Sequence, residues 1–138
     1  MIIAVRPFQW DETGNAGFTT GKPWLKVNPN YKTVNVAAED QDPASCLNYF
    51  RTLVKLRKSS PVLIYGKYTL LDKENPDVYA YTRELDGKRM LVLLNFKAKP
   101  ASAKIDLDLA KLKLVIGNYS KPAKGLELRP YEAAVYEW

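Results

Sequence analysis

Carboxylates are the side chains best suited to acid–base chemistry in this sequence of 138 residues, which contains no histidine. Without histidine there is no Ser-His-Asp or Cys-His arrangement and no histidine-based zinc site. Cys46 is the single cysteine. It has no imidazole partner to activate it, and its place in a helical pattern predicts a small buried apolar residue. Gly14, Gly17 and Gly21 lack the spacing of a phosphate-binding loop, so the sequence predicts no cofactor and no metal site.

The acidic pairs at residues 11–12, 39–40 and 106–108 do not predict a catalytic site. Hydrolysis through a covalent sugar intermediate needs two carboxyl groups about 5–5.5 Å apart. Asp106 and Asp108 could share one face of a strand, but acids that face solvent on strands are common. Asp11-Glu12 would point in different directions on an extended chain, and Glu39-Asp40 precede a helix whose dipole they complement. We therefore predict no catalytic residue within this chain.

Residues 7–24 combine aromatic residues, glycines and prolines without hydrophobic periodicity, in the blocks P-F-Q-W-D, N-A-G-F-T-T-G and P-W. A long segment of this kind is uncommon in a compact domain unless it carries function. Aromatic faces can stack on the apolar faces of sugar rings, but the same side chains can instead pin a loop on its support. Anchoring is favoured for Trp10 and Trp24, whereas Phe18 fits both interpretations about equally.

One helix is predicted over residues 43–58. Asp42 suits the N-cap, and Pro43 suits the first helical position, where its missing N–H is not needed. Apolar residues then recur at spacings of three and four and form one stripe: Leu47, Phe50, Leu53, Val54 and Leu56. The segment Ser59-Ser60-Pro61 ends the helix.

After Pro61 the apolar pattern changes to the alternation typical of strands. The predicted strands are Leu63–Leu71, Val78–Glu84, Met90–Phe96, Ser102–Asp106, Leu112–Ile116 and Ala133–Trp138, with a weaker candidate at Leu126–Leu128. Asp86-Gly87 predicts a type I′ hairpin turn. The strand Met90–Phe96 is apolar on both faces, so we predict that it is central and covered on both sides. Short strands separated by turns indicate a mainly β fold, an antiparallel β-sandwich.

The domain organisation that follows has two parts. Residues 1–61 hold the helix, which is preceded by a loop at 6–36 with a brief extended piece at Val34–Val36 and by a short strand at Ile2–Val5. Residues 62–138 form the β-sandwich. We expect a boundary between them near Pro61.

The net charge of +6 does not predict a nucleic-acid partner. The lysines alternate with acids, prolines and apolar residues, and there is no arginine-rich helix or zinc framework. No apolar run approaches the roughly 20 residues that span a bilayer, so no membrane partner is predicted either. A single cysteine fits a reducing compartment, and we expect a cytoplasmic protein.

Several blocks of the sequence, in order, resemble one family. Residues 7–11 and 15–21 are similar to the loop after the last barrel strand in α-glucosidases and oligo-1,6-glucosidases of glycoside hydrolase family 13, which reads R-T-P-M-Q-W-D and then N-A-G-F-T-T-G. Further similar blocks lie at residues 24–31, 42–58, 75–81, 91–96 and 130–133. The chain resembles the C-terminal part of such an enzyme over nearly its whole length.

The resemblance implies a (β/α)₈ barrel enzyme that cleaves α-glucosidic bonds by a retaining mechanism. Its two aspartates and one glutamate would lie on earlier barrel strands, outside this chain. Residues 1–61 would be the remnant of the last βα unit of the barrel, with the loop at 6–36 and the helix at 43–58. Residues 62–138 would be the C-terminal sandwich domain. The segment alone would then be structural and non-catalytic.

The resemblance also implies candidate substrate contacts, because the loops that follow barrel strands build the active sites of such enzymes. For an α-linked gluco-oligosaccharide these contacts are Arg6, Gln9, Phe18 and Trp24. The sequence departs from the family pattern at the start of the loop. Val5 stands where the family has arginine, and Arg6 stands at the threonine position.

Two other functions are consistent with the residues. The chain could be a stand-alone carbohydrate-binding module that uses Phe18 and Trp24. It could instead be a structural or assembly module. In that case the apolar stripe of the helix at 43–58 would be covered by a second copy of the chain, whereas in a complete enzyme the missing barrel would cover it.

Overall fold

A computed structural model describes residues 5–121 and 125–138. The chain divides into two compact units, Met1–Lys55 and Leu56–Trp138. Within the described ranges, no helix is both long and apolar enough to cross a bilayer. The strand predicted at Ile2–Val5 lies outside the described residues except for Val5, which has no regular structure.

The first unit begins with a loop that contains two short 3₁₀ turns, Gly14–Gly17 and Pro29–Lys32. Helix α1 follows at Val36–Gln41. The prediction of an extended piece at residues 34–36 was wrong, because Asn35 caps this helix. Its side-chain oxygen accepts a hydrogen bond of 2.8 Å from Ala38 N, one of the N–H groups that the first helical turn leaves without a partner.

Helix α2 runs over Cys46–Ser59 and begins three residues later than predicted. Asp42 Oδ1 accepts a hydrogen bond of 2.9 Å from Ala44 N and so closes a turn before the helix. Ser45 Oγ instead accepts from Asn48 N at 3.1 Å. Ser45 therefore takes the N-cap role predicted for Asp42. The end of the helix agrees with the predicted stop signal within one residue.

The second unit starts its own structure with helix α3, Pro61–Tyr65. This corrects the strand predicted over Leu63–Leu71, of which only Lys67–Leu71 is extended, as β1. Proline at the first position favours the helical turn. Gly66 ends it: its N–H donates to Val62 O at 3.0 Å, and a Cβ atom on Gly66 would lie 2.3 Å from that oxygen.

Most of the remaining strands lie close to their predicted positions. The strand predicted at Ser102–Asp106 is extended only at Ala101–Ser102, and the weaker candidate at Leu126–Leu128 is extended at Glu127–Leu128. The remaining strands are β2 Val78–Leu85, β3 Lys88–Asn95, β4 Ala101–Ser102, β5 Lys113–Gly117, β6 Glu127–Leu128 and β7 Ala133–Glu137. Five of them form an antiparallel sheet in the order β1-β2-β3-β7-β5, and β4 pairs with β6. The prediction of a mainly β, antiparallel architecture is confirmed, but the described residues hold three α-helices where one was predicted.

Strand β3 lies at the centre of the large sheet, and its residues 90–93 are buried. Leu91 and Leu93 belong to the core cluster together with Leu128 of β6 and Ala101 of β4. Helix α3 packs on β2 and β3. The prediction that this strand is covered on both sides is therefore confirmed.

The turn between β2 and β3 has the backbone that its sequence predicts. Asp86 and Gly87 have φ angles of 50° and 76°. Leu85 pairs with Lys88 directly across this two-residue connection. Positive φ at both central positions defines the type I′ turn, whose twist matches that of the two strands.

Candidate functional site

The loop between residues 5 and 35 is the candidate site, and backbone hydrogen bonds fix it to the start of α1. Val36 N donates to Gln9 O and Ala37 N donates to Trp10 O, both at 3.0 Å. These two N–H groups belong to the first turn of the helix and have no partner inside it. The helix start therefore holds Gln9 and Trp10 in place.

Asn15, Ala16 and Gly17 adopt three consecutive left-handed conformations, with φ angles of 57°, 59° and 65°. This backbone is rare for residues with a side chain, above all for alanine. The methyl group of Ala16 is fully buried, and Ala16 O accepts a hydrogen bond of 2.9 Å from Trp10 N. The loop thus folds back on its own beginning.

Asp11 supports the same turn from the side. Its Oδ1 accepts hydrogen bonds from Thr13 Oγ1 and, at 2.8 Å, from Thr13 N. Both bonds lower the pKa of Asp11 below that of an ordinary carboxyl group, because they stabilise the charged form. A Cβ atom on Gly17 would lie 2.7 Å from both carboxylate oxygens of Asp11, so only glycine fits there.

Asn15 connects this turn to the next one. Its Nδ2 donates to Thr19 O at 3.1 Å and to Gly21 O at 3.0 Å. Thr19 Oγ1 in turn accepts a hydrogen bond of 3.1 Å from Gly21 N. One side-chain amide therefore closes the turn formed by residues 18–21.

The structure places two of the four predicted substrate contacts at one cavity. Arg6 and Gln9 line a cavity of about 610 Å³, together with apolar side chains of the loop and α2. Arg6 Nη1 donates to Lys26 O at 3.3 Å, and Gln9 Nε2 donates to Val34 O. Both side chains are thus oriented by backbone oxygens of the same loop.

Phe18 and Trp24 do not line this cavity. Phe18 is 46% exposed and Trp24 is 88% exposed. Trp10 is 52% exposed and contacts Phe8 edge-to-face, with ring centroids 4.8 Å apart. The described residues therefore provide a contact for Trp10 but leave Trp24 in solvent, so anchoring within this chain was the wrong interpretation for Trp24.

Cys46 is exposed and lines the cavity, so the prediction of a buried apolar cysteine was wrong. Cys46 is the first residue of α2 and directly follows the turn that Asp42 closes. Helical spacing shows which residues share a face, but it does not show whether that face is covered.

At least one residue of each acidic pair that the sequence analysis weighed has a structural role. Glu39 Oε2 accepts a hydrogen bond of 3.0 Å from Leu47 N at the start of α2, which confirms its predicted role at a helix N-terminus. Asp40 pairs with Arg51. Asp108 caps a 3₁₀ turn by accepting from Ala110 N at 3.0 Å. In the part of the chain that is described, no cluster of histidine, cysteine or carboxylate side chains is arranged to hold a metal ion.

Two features of the loop were not predicted from the sequence: the hydrogen bonds that the Asn15 amide donates to Thr19 O and Gly21 O, and the buried, left-handed Ala16. The pair Asn-Ala before Gly17 carried part of the signal, because asparagine tolerates left-handed backbone. Nothing in the sequence marked Ala16, since alanine has no such preference.

Residues 4–66 match the family model of the alpha amylase catalytic domain, and residues 68–135 match that of the maltogenic amylase C-terminal domain. The oligo-1,6-glucosidase of Parageobacillus thermoglucosidasius is 43% identical over 137 residues, which cover 95% of this chain and 24% of the relative. That of Heyndrickxia coagulans is 45% identical over 130 residues, covering 94% and 23%.

The solved structure of the trehalulose synthase MutB from Pseudomonas mesoacidophila MX-45 superposes with a TM-score of 0.84 at 45% identity. The match covers 96% of this chain and 25% of that one. The chain thus spans about a quarter of the length of the relatives it matches.

Proposed function

Since the chain belongs to glycoside hydrolase family 13 and matches about a quarter of its oligo-1,6-glucosidase relatives, we propose that it is the C-terminal segment of an enzyme that hydrolyses α-glucosidic bonds in oligosaccharides. The observation that carries the proposal is the order of the two family models, one at residues 4–66 and the next at 68–135. A catalytic-domain end followed by a C-terminal domain is the organisation expected of this segment.

Residues 1–61 contribute a loop to the active-site face of the barrel. In (β/α)₈ enzymes the loops after the strands build the active site. The loop held by α1 would present Arg6, Gln9, Phe18 and Trp24 toward an α-linked gluco-oligosaccharide. Arg6 and Gln9 already share one cavity, which supports a common role for them.

Residues 62–138 form a sandwich that stabilises the barrel. The five-stranded sheet and the β4–β6 pair both contribute to one apolar core, which supports a two-layer arrangement. Glu39 binds the start of α2 and Asp40 pairs with Arg51, so these carboxylates have structural roles, which supports a non-catalytic role for the segment by itself.

The barrel is the partner that we propose for the stripe on α2. Phe50 in this stripe is 62% exposed. Covering this aromatic side chain with a partner would be favourable, because apolar surface would be removed from water. In the absence of the barrel, a second copy of the chain would cover the same stripe.

A chimera tests the proposed function. The corresponding quarter of the Parageobacillus thermoglucosidasius oligo-1,6-glucosidase is replaced by this chain, and glucose release from isomaltose is measured. We expect the chimera to release glucose, because the relative supplies the barrel carboxylates and this chain completes the fold. The same relative without any C-terminal segment and this chain alone serve as controls, and neither should be active. A folded but inactive chimera, or release of glucose by the chain alone, would contradict the proposal.

A sugar-binding module is the second candidate, and the exposure of Phe18 and Trp24 favours it. Titration of the ¹⁵N-labelled chain with isomaltose and with maltose distinguishes the two. Saturable shifts confined to the amides of residues 6–31 would support binding without a barrel. If neither sugar changes the spectrum, the isolated chain has only the structural role.

A further inference from the structure

Asn15 has a role that the resemblance does not assign. It lies in the left-handed run of residues 15–17, and its amide donates to Thr19 O and Gly21 O at 3.1 and 3.0 Å. Both acceptors belong to the turn that carries Phe18. The Asn15 side chain therefore ties this turn to the left-handed run, beside the backbone hydrogen bond of 3.2 Å from Phe18 N to Asn15 O.

The left-handed run is held from several directions, which is the condition for strained backbone to persist. Trp10 N binds Ala16 O, the Ala16 methyl group is buried, and the Asp11 carboxylate packs against Gly17. The part of the loop before Asn15 is thus fixed to α1 through Gln9 and Trp10. Asn15 extends this order to residues 18–21 in two ways: its backbone oxygen accepts a hydrogen bond of 3.2 Å from Phe18 N, and its side-chain amide donates to Thr19 O and Gly21 O. Within residues 18–21, Gly21 N also donates to Thr19 Oγ1. The backbone bond persists when the side chain is removed, so the side-chain amide is the part of this link that a substitution can delete.

We propose that Asn15 is a positioning residue that holds Phe18 in the orientation in which it meets the sugar, an inference that rests on the proposed function. Phe18 is about half exposed, so its ring is accessible to a ligand. A turn that is ordered before binding loses less conformational entropy when the sugar binds. Loss of the Asn15 amide therefore weakens binding while the distant carboxylates continue to catalyse the reaction.

The substitution Asn15→Gly separates this role from folding. Glycine adopts a φ of 57° without strain, so the left-handed run persists while both side-chain hydrogen bonds are lost. Gly14→Ala is the matched control, because a Cβ atom on Gly14 meets nothing within 4 Å and its φ is not in the left-handed region. Both variants are made in the chimera described above and in the chain by itself.

In the chimera we expect Asn15→Gly to raise KM for isomaltose about tenfold with kcat within about twofold, as two modest hydrogen bonds predict. The midpoint of thermal unfolding should stay that of the native chimera, and Gly14→Ala should leave KM unchanged. In the chain alone, the amides of residues 18–21 should exchange with solvent faster in Asn15→Gly than in the native chain.

The outcomes separate the two proposals. An inactive native chimera overturns the proposed function and this inference with it. An active native chimera with an unchanged KM in Asn15→Gly overturns the inference alone. A fall in kcat together with a lower unfolding midpoint would also overturn it, because that pattern is the signature of a merely structural residue.

Discussion

At the scale of single residues, the tyrosines of β1 and β2 show how one hydrogen bond changes the chemistry of a side chain. Tyr68 Oη and Tyr79 Oη lie 2.7 Å apart. The bond to Tyr79, assisted by desolvation, raises the pKa of Tyr68 to about 12. Because the pKa in the folded state lies above the ordinary value of about 10, the contribution to stability is fully present below pH 10 and is lost as the pH rises through about 12.

The substitution Tyr79→Phe should lower the pKa of Tyr68 toward the ordinary tyrosine value, because the hydrogen-bond partner is removed while the ring remains. The measurement is an NMR titration of the individual tyrosine Cζ signals between neutral and strongly alkaline pH. Tyr119→Phe is the control, since Tyr119 Oη donates to Pro130 O at 2.9 Å and has no contact with Tyr68. An unchanged Tyr68 titration in Tyr79→Phe would contradict this assignment.

At the scale of secondary-structure elements, the start of α2 depends on side chains that precede the helix. Ser45 Oγ accepts from Asn48 N, and Glu39 Oε2 accepts from Leu47 N. Asn48 Nδ2 also donates to Glu39 O at 3.0 Å and to Asp42 O at 2.9 Å. These bonds connect the end of α1 to the first turn of α2, so the short connection between the helices is ordered by its own polar side chains.

We expect Ser45→Ala to destabilise the helical part of the chain by about 1 kcal/mol, the usual cost of losing a serine N-cap. Urea unfolding followed by far-ultraviolet circular dichroism measures this change. Thr52→Ala is the control: Thr52 is exposed in the middle of α2, and alanine has the higher helix propensity, so no loss of stability is expected. Equal midpoints for Ser45→Ala and the native chain would show that Ser45 is not the cap.

At the scale of the whole molecule, the apolar stripe of α2 is the surface that we propose a partner covers. Its residues are exposed or half-buried in the described structure, and none is fully buried. Apolar surface of this kind usually marks an interaction site. The proposed partner is the barrel in a complete enzyme, and a second copy of the chain when the barrel is missing.

The isolated chain should therefore self-associate as its concentration rises, and Leu53→Glu should abolish the association by placing a charge in the stripe. Sedimentation velocity at a series of concentrations measures the distribution of species. Lys55→Glu is the control, because Lys55 is an exposed residue of the same helix outside the stripe. Association that persists in Leu53→Glu, or a native chain that stays monomeric throughout, would contradict the proposal.

Features that depend on neighbouring residues can be predicted from the local sequence. The Asp86-Gly87 turn, most strand positions and the central place of β3 were predicted correctly, because positive φ, alternation and double-sided apolar character are local properties. In the candidate site, the motif blocks at residues 7–11 and 15–21 are likewise visible in the sequence.

Which side chains are buried, and which polar groups they bind, depends on the tertiary structure and was not predictable from the local sequence. Cys46 and Trp24 are exposed, α2 begins at Cys46 rather than Pro43, and residues 61–65 are helical where strand character was predicted. Asn95 is buried and donates to Lys99 O and Arg129 O, both at 2.8 Å. Such partners are distant in sequence or compete with a local preference. Tertiary contacts therefore override the local pattern at these positions.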